Sequence, residues 1–273
     1  MAKIVSVHAA SHTPVMLNFP DAIPPSDREE IFAAFRRMGA SISASQPQAI
    51  VVLSDDHVHN FFLNNLPSLC IGAAPQYPTP VEHWLKADKR VLTGDSELGA
   101  FLLTQVMAAD FDPALSMELT LDHGVLVPME LAGIAQDIPV VPVLFNCVQP
   151  PLPSMRRCYA FGVALGHALR AYPGLDRVAV LATGGLSHDL ATPRMGMVNE
   201  AFDREFLRLL ELGDVEALLQ FSTNHVHEAG NGAEEIRMWI TAMGIAGAGR
   251  YETHFYRAVP NWFTGIGIGE WKL

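Results

Sequence analysis

Short, uninterrupted apolar runs alternate along this chain with longer stretches whose apolar residues recur every three or four positions. The runs at 4–7, 50–53, 69–71, 143–145 and 178–182 are rich in Val, Ile and Leu and read as buried strands. Between them, Ile31, Phe32, Phe35, Met38 and Ile42 form one helical stripe, and Leu98, Phe101, Leu102 and Val106 form a second. Helices are also predicted over 154–171, 197–212, 214–221 and 233–245, the last turning Ile236, Trp239, Ile240 and Met243 inward. Two closing strands are predicted over 251–256 and 265–271. Strands alternating with helices in this way indicate an α/β fold with βαβ units.

Local signals refine this outline. Ser26-Asp27-Arg28-Glu29 has the form of a capping box opening a helix that runs to about residue 45. Pro75, Pro78 and Pro80 predict a loop or extended arm carrying Tyr77, His83 and Trp84, suited to a lid or a subunit contact. Leu121-Asp122-His123-Gly124 is expected to be a loop, with Gly124 at positive φ and Pro128 in the first turn of a helix over 127–134. Pro139 and Pro142 cannot donate to a ladder, so the strand over 138–145 is pushed to a sheet edge or pairs only through Val143, Leu144 and Phe145. Residues 224–232 are polar enough to predict a loop in which His225 and His227 are solvated.

The ends of the apolar runs carry the chemistry. The strand over 50–53 stops at Ser54-Asp55-Asp56-His57-Val58-His59, and the first strand stops at Ser11-His12-Thr13-Pro14. The strand over 178–182 runs into Thr183-Gly184-Gly185-Leu186-Ser187-His188-Asp189, where paired glycines allow a tight turn. In open α/β sheets ligands bind at the carboxyl ends of strands. His12, His57 and His188 at three such ends, with His123 on a fourth loop, predict a single site by convergence.

Composition narrows the partners. Of 273 residues, 49% are hydrophobic and 17% charged, with a formal net charge of −11, so there is no basic face for nucleic acid. Cys70, Cys147 and Cys158 are too few for a disulfide framework, as expected of a cytoplasmic protein. No stretch approaches the roughly 20 apolar residues of a membrane span.

Two histidines from different loops and one carboxylate form the ligand set of a mononuclear non-haem Fe(II) site with open positions. His12, His57 and either Glu234 or Glu235 would supply it, although zinc takes the same donors. His123 and His188 then suit proton transfer.

The set Ser11-His12-Thr13-Pro14, Asp56-His57, Asp122-His123-Gly124, Thr183–His188 and Glu235-Ile236-Arg237-Met238-Trp239 resembles, in this order, the class III extradiol ring-cleavage dioxygenases. These include the protocatechuate 4,5-dioxygenase catalytic subunits and 2,3-dihydroxyphenylpropionate dioxygenase. The resemblance covers nearly the whole chain. It implies one catalytic domain over 1–273, a three-layer α/β/α structure around a central mixed sheet. It also implies Fe(II) held by His12, His57 and Glu235, the family's ligand lying four residues before the helix tryptophan, with His188 and His123 as acid/base residues. The expected substrates are an aromatic diol and O2, cleaved in an extradiol manner. His59 matches no motif and is expected to be supporting or structural. Arg194, Arg237 and Arg257 are the candidate anchors for a carboxylated substrate. A homo-oligomer is expected, with or without a small partner subunit. The rival readings are a zinc-dependent member of the same superfamily or a metallohydrolase, and an aminophenol-cleaving dioxygenase.

Overall fold

The computed structural model describes residues 1–273. In chain order the first half comprises β1 (Lys3–Ala10), α1 (Val15–Asn18), α2 (Pro25–Ala44), β2 (Ala49–Asp55), β3 (Leu69–Gly72), β4 (Gln76–Thr79), β5 (Arg90–Thr93), α3 (Ser96–Met107), β6 (Ala114–Ser116) and α4 (His123–Ala132). The second half comprises β7 (Val140–Phe145), α5 (Met155–Ala171), β8 (Arg177–Thr183), α6 (Glu200–Leu212), α7 (Val215–Ala229), α8 (Ile236–Ala246), β9 (Arg250–Val259) and β10 (Thr264–Lys272).

Eight strands form one mixed sheet in the order β6-β3-β7-β2-β8-β1-β10-β9. Its centre, β7-β2-β8-β1, is parallel, while β10 and β9 close one side antiparallel. The apolar runs are continuous because these strands are covered on both faces. Along β2, Ala49, Val51 and Leu53 enter the core beneath α3, α5 and α8, while Ile50 and Val52 enter the core beneath α2 and α4. The α/β expectation with a large mixed sheet therefore holds.

Several local expectations do not. The strand over 138–145 is not an edge strand: β7 lies between β3 and β2. It pairs with β2 along its whole length, but with β3 only from Val143 to Phe145, so Pro142 falls just outside that second ladder. The capping box at Ser26 is not formed, since α2 begins at Pro25 without a side-chain cap. The fixed φ of Pro25 suits the first helical position, where its missing N–H costs nothing. Residues 224–229 belong to α7, whose buried Leu218, Leu219, Ser222, Val226 and Ala229 keep helical spacing beneath a polar outer face. His225 thus lies on a helix and meets Glu228 at 2.9 Å. The arm after Pro75 is a two-stranded hairpin, β4 with β5, separate from the main sheet.

Candidate active site

Three parallel strands, β2, β8 and β1, are adjacent in the sheet and end at the same side. Each delivers a histidine. After β1, the Ser11 hydroxyl donates to Gly265 O at 3.0 Å and accepts from Gly267 N–H at 2.9 Å. These bonds tie the strand end to β10 and leave His12 buried. After β2, the carboxylate of Asp56 accepts the backbone N–H groups of His59, Asn60 and Phe61 at 2.9–3.1 Å. Val58 within this turn has φ of 61°, a costly conformation for a β-branched residue and one typical of functional sites.

After β8, Gly184 and Gly185 take φ values of 108° and 61°, which side-chain-bearing residues rarely adopt. The turn faces the approach to α8. Gly185 N–H donates to Glu235 Oε2 at 2.6 Å, and Trp239 Nε1–H donates to Gly184 O at 2.9 Å. One glycine turn therefore holds both Glu235 and the tryptophan one helical turn further on.

These elements bring His12, His57 and Glu235 together. The Nε2 atoms of His12 and His57 are 3.3 Å apart, and Glu235 carboxylate oxygens lie 3.8 Å from His12 Nε2 and 3.4 Å from His57 Nε2. Donors bound to one cation at about 2.0–2.2 Å stand roughly 3–3.5 Å apart, so this trio could hold a metal ion. Asp55 completes the group, with Oδ1 buried, unpartnered and 3.2 Å from His57 Nε2. Glu234 points elsewhere, pairing with Arg237.

Two further histidines adjoin this cluster. The His123 ring centroid is 4.1 Å from that of His57 and 5.3 Å from that of His12. His188 Nε2 lies 3.8 Å from Glu235 Oε1, and its Nδ1 donates to Leu186 O at 2.9 Å. His123 does not sit on a loop: it is the first residue of α4, with Asp122 as the N-cap. Asp122 Oδ1 accepts Gly124 N–H at 2.9 Å, while Oδ2 accepts from His57 N–H at 3.1 Å and meets His57 Nδ1 at 2.8 Å. The same carboxylate thus starts a helix and orients a neighbouring ring. Gly124 is helical rather than left-handed. A Cβ there would stand 2.8 Å from Ser54 Oγ and 3.0 Å from His57 Cε1, so close approach is what requires the glycine. Pro128 accordingly lies inside α4 and not in its first turn.

Electrostatics separate the groups. Burial pushes His12 down to about 3, leaving a neutral ring with a lone pair to give. Burial also opposes a cation at His57, but Asp55 and Asp122 outweigh it and hold that ring well above its ordinary range. Burial works against ionised Glu235, yet His12, His188 and His57 hold its carboxyl well below the usual carboxylate range. Asp55 is raised by burial. Burial and then His57 push His123 down, with Glu82 opposing.

Glu82 and Asp55 escaped the sequence reading. Glu82 has a fully buried side chain in the turn between β4 and β5, and Oε1 sits 2.5 Å from His123 Nδ1. His59 joins it, Nε2 lying 3.4 Å from the same oxygen. Of the three arginines, Arg237 is committed to Pro153 O and Glu234, and Arg257 to Asp27 and Glu30, away from the cluster. Arg194 pairs with Asp189, the residue after His188 in sequence, its Nε donating to Oδ2 at 2.6 Å. The three cysteines are free and buried.

Residues 6–267 match the family model described as the catalytic LigB subunit of aromatic ring-opening dioxygenase. The chain belongs to this family. It is similar to the 2,3-dihydroxyphenylpropionate/2,3-dihydroxicinnamic acid 1,2-dioxygenase of Paraburkholderia xenovorans (strain LB400), at 32% identity over 96% of each chain. The protein of the same name from Burkholderia vietnamiensis (strain G4 / LMG 22486) is 30% identical, again over 96% of each. In fold, this dioxygenase is similar to an uncharacterized protein from Escherichia coli K12 with a TM-score of 0.66 and 15% identity, covering 97% of this chain and 99% of that one. Family and relatives make the chain an extradiol ring-cleaving dioxygenase of aromatic catabolism, an oxidoreductase acting on an aromatic diol with O2. No helix of this dioxygenase is long and apolar enough to cross a membrane.

Proposed function

We propose that this dioxygenase cleaves a catecholic ring beside its diol at a single Fe(II) held by His12, His57 and Glu235, with His123 and His188 handling protons. The observation that carries this reading is the 3.3–3.8 Å triangle of His12 Nε2, His57 Nε2 and the Glu235 carboxylate. The donor chemistry fits as well: one neutral imidazole, one carboxylate kept ionised, and one imidazole oriented by Asp122 that would give up its proton to an incoming ion. Asp55 Oδ1, buried without a hydrogen bond and facing His57 Nε2 at 3.2 Å, adds a carboxylate oxygen that a cation in the cluster would satisfy. Ferrous iron, when bound, supplies an electrophilic centre whose open positions bring diol and O2 side by side.

The chain's own residues do the rest. Leu186 O accepts from His188 Nδ1–H, so Nε2 is the nitrogen of that ring left to take a diol proton. His123 Nδ1–H is held by Glu82, which leaves its Nε2 for the same work. Burial of the cluster excludes bulk water from these exchanges. Arg194, paired with Asp189 just after His188 in sequence, is the anchor proposed for a substrate carboxylate, and the names of the relatives make 2,3-dihydroxyphenylpropionate the first substrate to test. The whole chain, 1–273, is proposed to act as one catalytic unit in the cytoplasm and as a homo-oligomer, with or without a small partner subunit. Exposed Phe62, Leu63, Met195 and Met197, in the segments after His59 and His188, would be covered in such an assembly.

The test is anaerobic loading with Fe(II) or with Zn(II), followed by O2 uptake and absorbance traces on 2,3-dihydroxyphenylpropionate, protocatechuate, gallate, catechol and 2-aminophenol. Oxygen uptake with a new yellow chromophore, in the iron-loaded protein alone, is expected. Turnover without O2, or turnover in the zinc-loaded protein alone, overturns the iron assignment.

A further inference from the structure

We infer that Glu82 is a positioning residue of the reaction, a buried carboxylate that locks His123 in the tautomer whose Nε2 is free to exchange protons with substrate. The inference rests on the acid/base reading of His123 above and extends it to a residue that no sequence motif marks. Glu82 lies in the turn of the β4–β5 hairpin, far from α4 in sequence, yet grips the first residue of α4 twice. Its Oε1 stands 2.5 Å from His123 Nδ1 and accepts the His123 backbone N–H at 3.0 Å.

A carboxylate has only acceptor sites, so the ring nitrogen facing it must carry the hydrogen. In the neutral ring this makes Nε2 the unprotonated nitrogen, and His123 Nε2 has no hydrogen-bond partner within the chain. The proton balance is simple. As a substrate O–H bond breaks, its proton goes to Nε2 and leaves an imidazolium with both nitrogens protonated, whose charge the adjacent carboxylate offsets. When Nε2 passes that proton on, the ring returns to its Nδ1–H form. Without Glu82 no acceptor is hydrogen-bonded to Nδ1, and the ring is free to hold its hydrogen on Nε2, where it could donate but not accept.

Three features show a built contact rather than an incidental one. The Glu82 side chain is fully buried, although its turn is on the surface between two strands. His59, next to the left-handed Val58, meets the same carboxylate oxygen at 3.4 Å. The turn is also pinned further along, where Lys86 N–H donates to Asn18 Oδ1 at 2.7 Å and Leu85 is buried. Trp84, between these anchors, brings its ring to 6.3 Å from that of His123.

The experiment uses the full chain as wild type, Glu82→Leu, Glu82→Asp, His123→Phe and the double variant His123→Phe/Glu82→Leu. Ring-nitrogen 15N spectra of the metal-free chains, with the His123 signals identified by their loss in His123→Phe, read the tautomer directly. Wild type is expected to show Nδ1 protonated, and Glu82→Leu, which leaves no acceptor at Nδ1, is expected to shift the hydrogen to Nε2. In the iron-loaded chains Glu82→Leu should lower kcat by about 10–100-fold with KM within about threefold, the usual cost of losing an orienting partner. Glu82→Asp keeps the charge on a shorter arm and should recover part of that loss. In the His123→Phe background, Glu82→Leu should cost nothing further. An unchanged tautomer, an unchanged kcat, or an equal loss with and without His123 overturns the inference. Failure of the underlying reading looks different: His123→Phe alone would then keep the wild-type rate, before Glu82 is touched.

Discussion

His123 and His188 stand beside the same cluster but are held by different chemistry. His123 Nδ1 faces the buried carboxylate of Glu82, whereas His188 Nδ1 faces the peptide carbonyl of Leu186. Both partners accept a hydrogen bond, so both fix the tautomer, but only one carries charge. On the proposed reading, the Glu82 side favours an imidazole that keeps a proton between two steps. The Leu186 side orients an imidazole without adding charge. The backbone context follows the same division. His123 opens a helix, while His188 ends a glycine turn and lies against Gly232, where a Cβ would meet its Nε2 at 1.9 Å.

The largest effect should come from removing the centre both rings address. His57→Ala deletes the ring that lies 3.3 Å from His12 Nε2 and 3.4 Å from Glu235, and it strands the buried Asp122 carboxylate. The expected outcome is loss of stoichiometric iron after desalting, with activity falling to background. A variant that still holds one iron per chain would take His57 out of the ligand set.

Next in size is His188→Phe, which removes one side of the comparison and leaves the proposed ligands in place. Iron content should be unchanged while kcat drops by about two to four orders of magnitude, the usual worth of a positioned acid/base. Wild-type turnover in that variant would leave His123 as the sole proton carrier.

Gly232→Ala sharpens the contrast more gently. The added methyl would press on His188 and on nothing near His123. Displacing an imidazole by about an ångström can cost up to roughly 100-fold in rate, so a 10- to 100-fold fall in kcat is expected. Iron content and the His123 nitrogen spectrum should not move. A shift in the His123 signals would mean that the two sides are mechanically coupled.

The sheet was legible because its central strands are apolar on both faces, and three of the site histidines follow within five residues of strand ends. The four-residue spacing from Glu235 to Trp239 has a physical origin visible only in the fold: one glycine turn bonds both. Glu82 was not legible. It sits in a proline-flanked stretch without periodicity, and its worth depends on a hairpin crossing to α4. The loop expected over 224–232 proved helical as far as Ala229, because half-buried His225 and exposed His227 and Glu228 mask the buried spacing of Val226 and Ala229. For β7, the edge position fails, but pairing limited to Val143, Leu144 and Phe145 holds on the β3 side, because Pro142 has no N–H to extend that ladder.

The smallest effect on turnover, and the clearest on stability, is expected behind His188. Asp203 is wholly buried and props the loop, Oδ1 accepting Ser187 N–H and Oδ2 the Tyr256 hydroxyl, each at 2.8 Å. Burial raises its carboxyl to about 7, with those hydrogen bonds opposing. A carboxyl whose folded pKa exceeds its unfolded value near 3.8 binds more protons folded than unfolded, so its contribution is fully present below that value and is lost as pH rises through about 7. A gap of about three units corresponds to something on the order of 4 kcal/mol. Asp203→Asn keeps the shape and cannot ionise. Denaturant unfolding of both proteins at pH 5 and pH 8 should therefore show wild type losing stability relative to the variant by roughly 2.7 kcal/mol, since only about two units of the gap lie above pH 5. Turnover at pH 6 should differ by less than about threefold, because the peptide N–H of Ser187 still finds an oxygen. Parallel pH profiles of stability would mean that Asp203 is already ionised in the folded chain, and that the two hydrogen bonds outweigh its burial.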